Sequence, residues 1–312
     1  MILLHHACYS ADNENQSIKL MRTTLSMKLV NTLQKGKERL GKEAIKRISC
    51  FVESQRTEED SFMDNSGKGD LYYTLFGWML SYILGIRLDQ KKMAVYLANQ
   101  DIESLDLIHY AAYIRCWMIK QLMGKGKVSL LLRSLFTTDI KDMNEYRGLP
   151  HNDPYSPYTQ FIRLSLLEDI GRRIKDKNNM MDSLAKYHLP EGGFMNTIDG
   201  LMATTNATAA ALAVIGQLFG YEENEDILYL RDQQKTLGGF AAAKTLPVPD
   251  LLSTATSLFM LECYNIKPKY SAYDFIEAHW LNTGGFAATL LEDNSDVEYT
   301  FYGMLALGTL TS

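Results

Sequence analysis

The sequence predicts an all-α fold, an α/α toroid in which six inner helices stand within six outer helices. Gly-Gly-Phe turns end at Phe194, Phe240 and Phe286, at an interval of 46 residues. A fixed period of this size indicates one supersecondary unit that is copied and stacked. The last two turns are followed ten residues later by Asp-x-x-x-Thr, which begins at Asp250 and at Asp296. No stretch alternates with period two for long enough to predict a sheet.

The Asp-x-x-x-Thr step marks the start of an inner helix. An Asp or Thr at its first position caps a helix, because the side-chain oxygen accepts free backbone N–H groups of the first turn. The runs that follow, such as 207–218 and 251–261, are apolar on nearly all faces, which is typical of inner helices. Inner helices are predicted to begin near residues 70, 106, 155, 204, 250 and 296.

Shorter and more charged helical stretches separate the inner helices. Residues 222–234 carry Ile227, Leu228 and Leu230 among charged residues, the pattern of an outer helix with one buried stripe. One extra helix is expected near residues 18–34. The outer helices are expected near residues 38–55, 89–99, 126–135, 177–187, 222–235 and 271–281.

Length and composition bound the class of protein. A chain of 312 residues can form one toroid domain, since each hairpin packs on its neighbours, and we expect a tail over 1–16 and one domain over 17–312. The net charge of −5 without a basic block argues against nucleic acid as a partner. The four cysteines lack metal-binding spacing, the N-terminus makes a poor signal peptide, and no run approaches the roughly 20 apolar residues of a membrane span. We expect a cytoplasmic protein and leave contact with a membrane surface open.

The repeated Gly-Gly-Phe, spacer and Asp-x-x-x-Thr resemble the repeat of the prenyltransferase and squalene-cyclase superfamily. The resemblance covers roughly residues 40–308 and is clearest in the last three copies. It implies that the N-termini of the inner helices converge on one mouth of a central cavity, with the chemistry just inside the caps. It implies an isoprenoid or another lipid-like small molecule as the ligand, and leaves a protein partner undetermined.

The resemblance also shows which positions would match the family's zinc ligands and the cation that faces a diphosphate. Protein prenyltransferases of the superfamily hold a catalytic zinc with an Asp, a Cys and a His, and the matching positions here are Asp250, Leu252 and Tyr299. Leucine cannot ligate zinc, so we expect no metal and no cofactor, with Asp250 as a helix cap. Lys244 falls where the family places a cation that faces a diphosphate. The alternative for Lys244 is a solvated lysine in a loop.

Two residues are candidates for catalysis. The class II terpene cyclases of the superfamily carry an acid inside the cap, and Glu298 holds the matching position. A buried carboxyl has a raised pKa and can act as a general acid, although Glu in a first helical turn is also favoured by the helix dipole. His109 is the second candidate, as a base at the mouth, with a packing histidine as the alternative. Arg115 lies deeper, and the sequence identifies no carboxylate for it.

Aromatic side chains are frequent on or just before the inner helices. They would suit an isoprenoid in a cavity and could stabilise a carbocation, or they could simply fill the core. The sequence therefore leaves open an isoprenoid-active enzyme and a non-catalytic toroid scaffold or binding protein. A carbohydrate-active enzyme fits poorly, because it needs paired carboxylates that face the cavity. Besides Lys244, the candidate ligand-binding residues are Tyr72, Tyr73, Tyr110, Trp117, Tyr158, Tyr299 and Tyr302.

Overall fold

The computed structural model describes residues 23–126, 153–172, 174 and 177–310, and this part of the chain is mostly helical, as the predicted all-α class requires. Two short antiparallel ladders pair β1 (Phe62–Met63) with β2 (Gly69–Asp70), and β3 (Phe240–Ala241) with β4 (Pro249–Asp250). A single 3-10 turn covers Ile102–Ser104. The α-helices of the described residues are α1 (Leu25–Arg39), α2 (Lys42–Ser54), α3 (Leu71–Leu84), α4 (Gln90–Ala98), α5 (Leu107–Lys125), α6 (Pro157–Asp169), α7 (Lys177–Ala185), α8 (Thr205–Phe219), α9 (Glu225–Asp232), α10 (Leu251–Cys263), α11 (Tyr273–Ala278) and α12 (Val297–Thr309).

The six predicted inner-helix starts agree with the observed N-caps to within one residue. In each helix the cap side chain accepts a backbone N–H of the first turn, the interaction on which the prediction depended. The third of these helices starts one residue later than predicted, because the oxygen that accepts the Thr159 N–H belongs to Ser156 rather than to Tyr155. The observed caps are Asp70, Asp106, Ser156, Thr204, Asp250 and Asp296.

The N-terminal helix differs from its predicted position. The sequence predicted a helix near 18–34, whereas α1 begins after the cap Thr24 and continues to Arg39. Thr24 accepts the N–H of Met27, so the residues just before it do not continue the helix within the described part. The tail predicted over 1–16 lies outside the described residues. The outer helix predicted over 126–135 also lies outside them, apart from Gly126, which ends α5.

The inner helices contact one another in chain order. Helix α3 packs against α5, α5 against α6, α6 against α8, α8 against α10 and α10 against α12, and α12 packs against α3. Helix α1 lies against α12, α3 and α6. Its approach to α12 requires Gly36, since a Cβ atom there would lie 2.2 Å from the carbonyl oxygen of Met304. The first and last helices of the described chain are therefore in direct contact.

One hydrogen bond recurs in four copies and explains the threonine of the repeat. The backbone N–H of the phenylalanine that ends each turn donates to the Oγ1 atom of the threonine four residues after the helix cap, at 2.9 to 3.2 Å. Each of these phenylalanines is almost fully buried, so its N–H needs a partner within the protein. The pairs are Phe62 with Thr74, Phe194 with Thr208, Phe240 with Thr254, and Phe286 with Thr300.

Each turn also touches the next outer helix. Gly238 has a φ of +95°, and a Cβ atom on it would lie 2.1 Å from the carbonyl oxygen of Ser271, just before α11. The last turn instead meets α2, near the start of the described chain. There, Arg47 donates to the carbonyl oxygens of Leu281 and Asn282 and lies 4.6 Å from the ring centre of Trp280. Arg47 thus joins the last turn to α2.

Candidate functional site

The second residue after each inner-helix cap, which we call the cap-plus-two position, is partly exposed in all six helices. The residues one and four positions after each cap are buried in all six. An α-helix turns about 100° per residue, so this regularity defines one accessible face along the first turn of every inner helix. The cap-plus-two residues are Tyr72, Ile108, Tyr158, Asn206, Leu252 and Glu298.

Two of these residues are joined by a direct hydrogen bond. The hydroxyl of Tyr72 on α3 donates to Oε1 of Glu298 on α12 at 2.7 Å, although 226 residues separate them. The Tyr72 ring meets Phe76 edge-on with 4.8 Å between ring centres, and Phe76 lies 5.9 Å from Tyr302. Tyr302 follows Glu298 by one helical turn, so it lies on the same face of α12. The carboxyl group therefore stands in an aromatic wall.

This environment changes the acidity of four side chains. Burial raises the pKa of Glu298 to about 7, against the smaller lowering effect of the Tyr72 hydrogen bond. Burial and neighbouring acidic groups raise the pKa values of Tyr72 and Tyr302 well above 10. We call Tyr72, Tyr158, Glu298 and Tyr302 the oxygen cluster. Its members are neutral in slightly acidic solution and can donate hydrogen bonds.

Tyr158 shows that the oxygen cluster spans helices that do not adjoin. Burial and then the negative charge of Glu298 raise the pKa of Tyr158 to about 12. Tyr158 lies on α6, which is three contacts away from α12 in either direction along the closed order of inner helices. The two side chains nevertheless lie within electrostatic reach of each other. We call the accessible face of these first turns the inward face.

The caps beside the oxygen cluster add carboxyl groups. Asp296 accepts the N–H of Tyr299, and Asp250 accepts the N–H of Ser253, yet burial raises the pKa of both aspartates. Tyr73 and Tyr299 stand beside these caps, and burial followed by the nearby carboxylates raises both tyrosine pKa values to about 12. This end of the molecule is consequently acidic.

The role of His109 as a base is corrected by its contacts. Its Nδ1 atom lies 2.8 Å from Asp106 Oδ1, and its Nε2 atom lies 3.2 Å from Asp70 Oδ2. The hydrogen bond with Asp70 raises the pKa of His109 to about 9, and Asp106 adds to this effect against burial. An imidazolium with both N–H groups engaged cannot accept a proton at neutral pH. His109 instead links the cap of α3 to the cap of α5.

The structure supplies the partner of Arg115 that the sequence did not identify. Its Nε atom lies 2.8 Å from Asp169 Oδ2, and its Nη2 atom donates to Ser165 Oγ at 2.7 Å. Asp169 also accepts the hydroxyl of Ser26 on α1 at 2.9 Å. This network joins α1, α5 and α6. No short-range pattern could have indicated it, because 54 residues separate Arg115 from Asp169.

Three of the predicted ligand-binding residues lie away from the inward face. Tyr110 is 4 % exposed and lies four residues after its cap, in the position that threonine holds elsewhere. Because it follows Ile108 by two residues, it lies about 200° round the helix from that inward residue. Trp117 lines a groove of 310 Å³ with Gln90 of α4. Lys244 is exposed in the loop before α10.

No family model matches the chain, and no curated protein or solved structure matches it closely enough to count as a relative. Within the described residues, no three His, Cys, Asp or Glu side chains are grouped to hold a metal ion. Among the helices of the same part of the chain, none is both long and apolar enough to cross a membrane. The described cysteines Cys50, Cys116 and Cys263 are free thiols.

Sequence reasoning missed one polar pair on the inward face. The hydroxyl oxygen of Thr256 on α10 lies 3.0 Å from Oδ1 of Asn206 on α8 and 2.8 Å from the carbonyl oxygen of Leu252. Asn206 is a cap-plus-two residue, and Thr256 follows Leu252 by one helical turn. Reading the cap-plus-two position in every copy, instead of searching for aromatic and catalytic residue types, would have found it.

Proposed function

We propose that the chain forms an α/α toroid, a divergent relative of the prenyltransferase and squalene-cyclase superfamily, and that its central cavity binds an isoprenoid or similar lipid-like molecule. The 46-residue repeat and the closed order of contacts among the inner helices support the ring. The partly exposed cap-plus-two residues on all six inner helices support an internal space that opens at the capped ends.

The oxygen cluster is the observation that best supports ligand binding. Tyr72, Tyr158 and Tyr302 come from three different helices and surround Glu298, and each tyrosine pKa is raised first by burial. The same side chains keep part of their surface accessible. Side chains that are desolvated and still accessible line a recess rather than the outer surface. Aromatic walls with a few convergent polar groups are typical of sites for apolar ligands.

The proposal can be extended from binding to catalysis, in which the chain would also convert the bound isoprenoid. With a pKa near 7, Glu298 holds a proton that it could donate to an alkene carbon or to an epoxide oxygen of a bound isoprenoid. The faces of Tyr72 and Tyr302 would stabilise the resulting cation. The alternative function is a non-catalytic toroid scaffold or binding protein. Glu298→Gln keeps the shape and removes the acid, so turnover lost with binding retained would support the enzyme.

Binding is tested by filling the inward face. Leu252→Trp should abolish the thermal stabilisation that farnesyl and geranylgeranyl alcohols or diphosphates produce, because a cap-plus-two indole occupies the recess. Leu237→Trp is the matched control, since Leu237 is 76 % exposed in a turn. Native mass spectrometry should show a co-purified lipid in the wild type and none in Leu252→Trp. If none of the four compounds stabilises the wild-type chain, ligand binding is abandoned for the scaffold.

Contact with a membrane surface is a second proposal, favoured by the loops that precede the last three inner helices. Each of these loops exposes large apolar side chains, and Leu201 and Leu291 are 94 % and 85 % exposed. Exposed acidic residues on the first and last of these loops, Asp199, Glu292 and Asp293, disfavour anionic lipids, so the partner would be a zwitterionic bilayer. The exposed apolar side chains are Ile198, Leu201, Met202, Leu246, Val248, Leu290 and Leu291.

Vesicle flotation tests the contact. The wild-type chain should float with phosphatidylcholine vesicles, and the double variant Leu201→Ser, Leu291→Ser should lose most of this binding because less apolar surface enters the bilayer. Val95→Ser is the control, because Val95 is 59 % exposed on α4, outside these loops. Equal flotation of the double variant and the control would contradict the proposal.

A further inference from the structure

Two cations near the capped ends of the inner helices, His109 and Arg115, are already paired with carboxylates. His109 lies between Asp106 and Asp70, at 2.8 and 3.2 Å. Arg115, whose charge reaches Tyr158, forms an ion pair with Asp169 at 2.8 Å. Each positive charge is thus matched by at least one negative charge, and neither side chain offers its charge to a ligand in the recess.

Acidic groups dominate the same end of the inner helices. Asp70, Asp106, Asp250 and Asp296 cap four of the six helices, and Glu298 lies in the first turn of α12. Within the described residues, no ion pair joins Asp250, Asp296 or Glu298 to a cation. An anionic head group placed here would meet carboxyl groups at short range, and the repulsion is strong because the site is desolvated.

The oxygen cluster offers hydrogen-bond donors instead. The Tyr72 hydroxyl donates to Glu298 at 2.7 Å, and a side-chain hydrogen bond also couples the Tyr302 hydroxyl to Tyr72. The hydroxyl groups of Tyr158 and Tyr302 lie within electrostatic reach of the same carboxyl. A neutral oxygen atom on a ligand could accept a hydrogen bond from a phenol without bringing charge into the recess.

We propose that the recess selects ligands whose polar head is an uncharged oxygen, such as an alcohol, ether, epoxide or carbonyl, and rejects the diphosphates that carry activated prenyl groups. This inference rests on the proposed function and narrows its substrate class. It also removes the role that the resemblance implied for Lys244, whose exposed loop lies outside the oxygen cluster.

Four compounds that share the farnesyl chain and differ in their polar head group test whether the recess selects an uncharged oxygen. Farnesol, farnesyl methyl ether, N,N-dimethylfarnesylamine and farnesyl diphosphate are titrated calorimetrically into the full chain. Farnesol and the ether should bind at least tenfold more tightly than the diphosphate, and the amine shows whether the carboxyl groups prefer a cation to a neutral oxygen. A diphosphate or an amine that binds most tightly overturns the inference while the proposed function stands. If none of the four binds, both fall.

Variants locate the selection in the oxygen cluster. Tyr302→Phe should weaken farnesol about threefold to tenfold, the range for the loss of one hydrogen bond, and leave the hydrocarbon farnesene unchanged. Tyr82→Phe, at an exposed tyrosine of α3, is the matched control and should leave both affinities unchanged. Tyr158→Phe serves in the same way if Tyr302→Phe does not fold. Unchanged farnesol affinity in both cluster variants would overturn the assignment to these phenols.

Discussion

At the residue scale, the main feature of the site is the protonation state of two side chains, Glu298 and His109. Glu298 and His109 both keep a proton more firmly in the folded chain than in the unfolded one, but for different reasons. Burial disfavours the Glu298 carboxylate, whereas two carboxylates favour the His109 imidazolium. Both effects stabilise the protonated fold, so stability should decline as the pH rises.

The pH dependence of His109 gives a first prediction. Its folded pKa of about 9 exceeds the ordinary 6.5, so its contribution is complete below pH 6.5 and is lost as the pH rises to about 9. His109→Gln should therefore melt below the wild type at pH 6, and the difference should shrink by pH 9. Melting temperatures recorded across this window test it. A difference that is constant with pH would show that His109 is neutral in the fold.

Glu298 affects the stability of the fold over a lower pH range than His109 does. The folded carboxyl has a pKa of about 7 against 4.5 ordinarily, so the unfolded chain ionises first and wild-type stability falls between pH 4.5 and 7. Glu298→Gln should reduce this fall to the part that the raised pKa values of Asp250 and Asp296 contribute, and should leave the decline above pH 7 unchanged. Melting curves from pH 4.5 to 9 measure both windows. A fall between pH 4.5 and 7 that persists undiminished in Glu298→Gln would assign it to another group.

At the scale of the element, the repeating unit is a turn tied to a helix cap. The Asp250 side chain satisfies the first turn of α10, and its carbonyl oxygen accepts the hydroxyl of Thr254 at 2.7 Å. Thr254 in turn accepts the buried N–H of Phe240. One cap and one threonine thereby fix the angle between the turn and the helix. Asp and Thr recur four residues apart because the Asp caps the helix and the Thr binds the preceding turn.

Substitution of Thr254 tests the tie. Thr254→Val should cost about 1–3 kcal/mol, because the Phe240 N–H is left buried without a partner. Thr254→Ser keeps the hydroxyl and should cost about 1 kcal/mol for the lost methyl group. Hydrogen exchange separates the two variants: the Phe240 amide should lose protection in Val and keep it in Ser. Equal protection in both would mean that the amide has another acceptor.

Gly238, in the turn before α10, gives a second prediction at the scale of the element. Gly238→Ala should cost more than about 2 kcal/mol, because φ is +95° and the new Cβ atom would clash with the carbonyl oxygen of Ser271. Gly41→Ala is the control, since nothing lies within 4 Å of a Cβ atom there, and it should change stability by less than about 1 kcal/mol. Urea unfolding measures both. Similar values for the two variants would contradict the strained turn.

At the scale of the whole molecule, the first and last elements of the described chain contact each other. Helix α12 packs on α3 and α1, and the last turn binds α2 through Arg47. A repeat chain that lacks such contacts can lose its terminal units separately, because each unit touches only its neighbours. With the ends joined, every unit has two neighbours. We therefore expect the described units to unfold together.

Arg47 tests the closure of the outer layer. Arg47→Met keeps the apolar stem over Trp280 but loses the bonds to two carbonyl groups, and should cost about 1.5–3 kcal/mol. Lys46→Met, at the exposed neighbouring position, should be nearly neutral. In the wild type, urea transitions followed by tryptophan fluorescence and by circular dichroism should coincide. If they separate in the wild type, the joined ends do not make the fold cooperative.

The sequence by itself determined the helical class, the period and the inner-helix caps, because a cap and a turn depend on residues within about fifteen positions of each other. Thr204, Asp250 and Asp296 could be read from such local patterns, and the start of α1 and the cap of α6 show the limits of that reading. Tertiary structure alone decided which side chains meet. Tyr72 and Glu298 are 226 residues apart, and their contact exists because α12 packs on α3. The same packing gave His109 two carboxylates and turned a predicted base into a charged link between caps.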